Sequence, residues 1–68
     1  MEYWFNITRE PDGGYIAECI NEAIFTQGDN WEELKANVKE ATEAYCFDKP
    51  MPLRIHLHLV HDEVLNYA

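Results

Sequence analysis

The sequence predicts a single α+β domain over residues 1–68, in the order β-β-β-α-β, with an antiparallel meander and one helix packed on one sheet face. Three observations carry this. Apolar side chains alternate with a two-residue period near both ends of the chain, which marks strands. Between them runs a stripe of 3.6-residue periodicity, which marks one helix. Clusters of Pro, Gly, Asp and Asn punctuate the intervals. With 68 residues there is room for one thin core, since a domain this small buries only about 60% of its unfolded surface. A second copy or a partner protein is a natural source of further burial.

Residues 2–9 (EYWFNITR) are rich in aromatic and β-branched types and form the first strand. Tyr3, Phe5 and Ile7 share one face; Glu2, Trp4, Asn6 and Thr8 share the other. Glu10-Pro11-Asp12-Gly13-Gly14 supplies turn chemistry, and 15–20 (YIAECI) returns as the second strand of a hairpin. After the polar break Asn21-Glu22, residues 23–27 (AIFTQ) make a third strand that Gly28 ends. Short connections make the three an antiparallel meander.

Asp29-Asn30 opens the helix, and Asn30 with Glu33 has capping-box spacing. Trp31, Leu34, Val38, Ala41 and Tyr45 form its apolar stripe, directed at the sheet. Lys39 and Glu43 stand at i,i+4 spacing for an exposed ion pair. Lys49-Pro50-Met51-Pro52 stops the helix. Residues 53–60 (LRIHLHLV) then alternate, with Leu53, Ile55, Leu57 and Leu59 on a buried side and Arg54, His56, His58 and Val60 opposite. The tail from Asp62 to Ala68 suits either a strand extension or a short helix.

One helix covers one sheet face. The other carries Trp4 and further apolar groups from the second and third strands, and exposed apolar patches mark association surfaces. Trp4, Asn6 and Thr8, together with His56 and His58, are the candidate partner-binding residues. An uncovered edge strand offers a second route to association.

Thirteen acidic residues against five basic ones, a net charge of −8, argue against direct nucleic-acid binding, because phosphate contacts need a basic patch. Acidity suits a basic protein partner instead. Cys19 and Cys46 are read as reduced thiols, since secreted mini-proteins of this size carry more bridges. The start Met1-Glu2-Tyr3-Trp4 is unlike a signal peptide, and no apolar stretch approaches the roughly 20 residues that span a bilayer. The expected location is the cytoplasm.

His56, His58 and His61 with Asp62 are the concentrated set of ligand-type residues. The i,i+2 spacing places His56 and His58 side by side, but His61 has the opposite parity and no upstream cluster completes a tetrahedral site. No metal and no cofactor are expected. Glu18 is a solitary mid-strand acid, and no nucleophile elbow, P-loop or dinucleotide fingerprint is present. The chain is therefore read as non-enzymatic.

Asp12-Gly13-Gly14-Tyr15-Ile16-Ala17, then Phe25-Thr26-Gln27-Gly28-Asp29, then Trp31-Glu32-Glu33-Leu34 and Glu40-Ala41 resemble the N-terminal domain of HicB-like antitoxins. The resemblance covers residues 2–46, and the closing strand agrees in order. It implies a partial RNase H-like fold and a role in neutralising a small, basic, mRNA-cleaving toxin of the HicA type. The antitoxin would act by covering the toxin's RNA-binding surface and catalytic histidine. The net charge of −8 suits that role, because complementary potentials speed encounter.

The chain departs from the family in two places. The loop before the third strand is the short Ile20-Asn21-Glu22-Ala23-Ile24. Ending at Ala68, the chain leaves no room for the DNA-binding half of longer members, so it is expected to match the small stand-alone ones. Nor does an RNase H-like fold bring nuclease chemistry here, because residues 3–8 contain no Asp or Glu. The alternative to the antitoxin is a stand-alone homo-oligomer of the same fold, a dimer or larger, with a different protein or small-ligand partner.

Overall fold

The computed structural model describes residues 1–60 and Leu65. Four strands and one helix follow in the order β1 (Glu2–Arg9), β2 (Tyr15–Cys19), β3 (Phe25–Gly28), α1 (Trp31–Tyr45) and β4 (Arg54–Val60). The fold is α+β: a four-stranded mixed sheet ordered β3-β2-β1-β4, with one helix. β1, β2 and β3 form the antiparallel meander, while β4 returns to the far side of β1 and pairs with it in parallel. The two ends of the sequence thus meet at strand pairing, Glu2 opposite Arg54 and Thr8 opposite Val60.

The β1–β2 turn closes through Gly13 N–H to the Glu10 carbonyl at 3.0 Å and Gly14 N–H to Asp12 Oδ1 at 3.1 Å. Pro11 supplies a preset φ, and Gly13 takes φ 97°, a left-handed conformation that side chains disfavour. Gly28 is needed for a different reason. A Cβ there would lie 2.5 Å from the Leu34 backbone nitrogen, so β3 and α1 touch backbone to backbone. Asn30 caps the helix, its Oδ1 accepting the Glu33 N–H at 2.8 Å. Asn37 Nδ2 donates to the Gln27 carbonyl at 2.7 Å, a second tie between α1 and β3.

Tyr3, Phe5 and Ile7 are buried, as alternation predicts, and pack with Ala17, Cys19, Ile24, Leu34, Val38 and Cys46. Trp31, Ala41 and Tyr45 flank this core half-buried, and Thr42, outside the predicted stripe, is fully buried. On the outer helix surface the predicted Lys39–Glu43 pair does not form; Lys35 pairs with Glu32 at 3.0 Å instead. The lysine stem reaches the acid one turn nearer the helix start, at the equally allowed i,i+3 spacing.

The last strand differs most from expectation. Ile55 and Leu57 are half-buried, Leu59 is 48% exposed, and Leu53 lies exposed just before the strand. The helix lies over β2 and β3 and does not reach over β4. An open cleft of about 110 Å³, lined by Val38, Ile55 and Leu57 with Lys35 and Lys39, separates them. Alternation correctly gives β4 an apolar side, yet the described elements cover it only in part. His61 and Asp62, and the tail beyond them apart from Leu65, lie outside the described residues.

Candidate functional site

The sheet face opposite the helix is assembled by register alone. Counting out from β1, Trp4 lies beside His56 of β4, Asn6 beside His58 and Glu18, and Thr8 beside Val60 and Ile16. On β3, Phe25 pairs with Glu18 and Gln27 with Ile16, which extends the same face. All five candidate residues, Trp4, Asn6, Thr8, His56 and His58, therefore share one surface.

Trp4 is 45% exposed while Tyr3 and Phe5 on either side of it are buried, so the two faces of β1 are assigned correctly. The Trp4 and His56 rings stack with centroids 3.8 Å apart and planes 6° from parallel. At its edge the His56 ring is held by Nε2 against the Glu2 carboxylate. Trp4 is also fixed at the backbone, donating its N–H to Asn21 Oδ1 at 2.9 Å and accepting from the Ile20 N–H at 2.8 Å. The aromatic platform is thus held by its neighbours on the sheet, and side chains positioned in this way carry a lower ordering cost on association.

Ile20 (64% exposed) and Phe25 (63% exposed) add large apolar surface on the β2–β3 side of this face. The result mixes Trp, Phe and Ile with two carboxylates, Glu2 and Glu18, and two imidazoles. Aromatic anchors with a charged surround are the composition of protein interfaces. Trp4 and the histidines could be found from alternation. Phe25 and Ile20 could not be placed without strand register, and although parity puts Glu2 on the Trp4 face, only the parallel β1–β4 pairing sets it beside His56.

Both thiols are free and buried on the helix side of the sheet, with the histidines of β4 on the other. Cys46 Sγ lies 3.3 Å from the Tyr3 hydroxyl. That hydrogen bond first, and burial second, push the Tyr3 phenol well above its ordinary value. Among the described residues no group of three or more His, Cys, Asp or Glu is placed to hold a metal ion. His56 and His58 are brought together as predicted, with Trp4 and Asn6 as their neighbours on β1.

No family model matches the chain, and no solved structure matches it. A UPF0150 protein of Thermotoga maritima is 41% identical over 61 residues, covering 90% of this chain and 86% of that protein. The chain belongs to the UPF0150 family. A second UPF0150 protein, from Archaeoglobus fulgidus, is 44% identical over 46 residues, 68% of this chain and 70% of its own length. UPF0150 membership thus spans nearly the whole fold, from β1 into β4 by extent. No helix among the described residues is long and apolar enough to cross a membrane.

Proposed function

We propose that this UPF0150 chain is a non-enzymatic protein-binding module of HicB-like antitoxin type, working in the cytoplasm. Its partner is a small, basic, mRNA-cleaving toxin, whose RNA-binding surface it covers. The observation that carries this is the outer sheet face, where a prefixed Trp4–His56 stack, Phe25 and Ile20 stand exposed beside Glu2 and Glu18. Apolar anchors would supply affinity, and the net charge of −8 would steer a cationic partner to them.

The test lies in the neighbouring reading frame. Antitoxin function predicts a short basic protein encoded there that arrests growth when expressed alone. Co-expression of this chain restores growth, whereas the Trp4→Glu, Phe25→Glu double variant, still folded, does not. The absence of such a neighbour, or rescue undiminished by the double variant, argues for the alternative: a stand-alone homo-oligomer with another partner. The open apolar side of β4 favours self-association in either case.

A further inference from the structure

The sheet has two edges, and they are treated differently. β3 is four residues long, and Asn37 of the helix takes up its Gln27 carbonyl. Short length and a covering side chain are ordinary ways of blunting an edge. β4 is seven residues long and, among the described residues, has β1 on one side only.

Trp4 accepts from the Ile20 N–H and Glu10 N–H donates to the Gly14 carbonyl, so the even-numbered residues of β1 face β2 while Tyr3, Phe5 and Ile7 face β4. In a parallel pair, residues at the same level point their backbone groups the same way, so Ile55, Leu57 and Leu59 turn theirs away from β1. These three present N–H and C=O groups outward, a ladder without a partner among the described residues, while His56 and His58 turn theirs toward β1.

We propose that β4 pairs antiparallel with β4 of a second copy of this chain, across a two-fold axis at Leu57. This register makes Leu57 and its own counterpart a hydrogen-bonded pair, exchanging N–H and C=O, and pairs Ile55 with Leu59 in the same way. His56 and His58 of opposite copies stand at the non-hydrogen-bonded positions on the outer face, while the side chains of Ile55, Leu57 and Leu59 meet across the seam on the helix side. These are the apolar residues that α1 leaves uncovered. With both helices on the same side, the two open clefts face one another over these leucines.

Charge selects a second copy as the occupant of this edge. β4 contains no carboxylate in a chain of net charge −8. In the proposed register Arg54 faces Val60, so no two fixed like charges oppose each other. Self-association through the outer sheet face would instead bring the Glu2 and Glu18 carboxylates of both copies together, which like-charge repulsion disfavours. The inference deepens the homo-oligomer alternative and does not require a toxin.

Light scattering on the purified chain should give twice the 8.0 kDa of one chain. By amide hydrogen exchange, Ile55 and Leu57 should be protected although their amides face away from β1. Leu59→Glu should give a monomer that keeps its secondary structure and loses protection at those two amides. A monomeric parent chain overturns the proposal, as does a dimer whose Ile55 and Leu57 amides exchange freely. Leu59 is not on the Trp4 face, so a monomeric Leu59→Glu that still restores growth beside the toxin separates the two readings.

Discussion

Trp4 and His56, 52 positions apart in sequence, stack face to face across the parallel β1–β4 pair, and the Glu2 carboxylate holds the histidine at its Nε2 edge. The stack is the point where the two ends of the chain are locked in register. Its energetic worth is accessible because both rings are on the surface and can be removed without opening a core cavity.

A double-mutant cycle with Trp4→Ala and His56→Ala should give a coupling of about 0.5–1.5 kcal/mol, the range for aromatic pairs beyond area burial. Urea unfolding of the four proteins measures it. Each single variant should remain folded. Additive effects would mean that the rings share a surface without interacting.

Gly28→Ala should be far more damaging than a usual surface change. The new Cβ meets the Leu34 backbone at 2.5–2.7 Å, where no side chain can swing away. The helix must lift from β3, at a cost of about 1–3 kcal/mol or more by analogy with overpacked cores. A thermal midpoint equal to the parent's would show that the contact is loose.

Asn30→Ala removes the acceptor of the Glu33 N–H and should cost about 1 kcal/mol. Asn30→Asp should recover most of it, since an aspartate accepts the same bond and its charge suits the helix start. Chemical denaturation of both variants tests the cap against a general loss of polarity.

Thr42→Val should stabilise the protein. The Thr42 hydroxyl is buried and has no hydrogen-bond partner among the described residues, and an unsatisfied buried polar group costs about 1–3 kcal/mol. Valine keeps the branched shape and drops the hydroxyl. A loss of stability would show that the hydroxyl is hydrogen-bonded in solution.

Tyr3 makes stability depend on alkaline pH. Its phenol ionises above its ordinary value of 10.0 in the folded state, so above that pH the unfolded chain binds fewer protons than the folded one. The contribution is fully present below pH 10.0 and is lost as pH rises toward the folded value. Tyr3→Phe should therefore flatten the decline of the urea midpoint between about pH 9 and pH 11. An identical slope in both proteins would assign the alkaline loss elsewhere.

Both faces of β1, the hairpin turn and the helix cap were legible in sequence because each depends on a period or a spacing within a few residues. Tyr3, Phe5 and Ile7 are in the core and Trp4 is outside it for that reason. The burial of β4 was not legible. Residues 53–60 alternate as a half-buried strand should, but how much of Ile55, Leu57 and Leu59 is covered depends on where α1 lies. The Gly28–Leu34 contact and the Asn37–Gln27 bond draw the helix toward β3, and neither can be recognised before the backbone is placed. The outer face was half legible for the same reason: Trp4, His56 and His58 follow from parity, whereas Glu2 beside His56 requires the parallel pairing.

The position of β1 in the middle of the sheet sets an order of assembly. β1, β2, β3 and α1 form a continuous stretch of sequence, and their contacts can close as local hairpins and a crossover. β4 must dock last, pairing with residues made first, as the 54-position separation of Glu2 and His56 illustrates. Such long loop closure is the slow step of a fold. A chain still emerging from the ribosome would expose the free side of β1, with Tyr3, Phe5 and Ile7 beside it, until the last strand is complete. Truncations that remove β4 should therefore aggregate during synthesis.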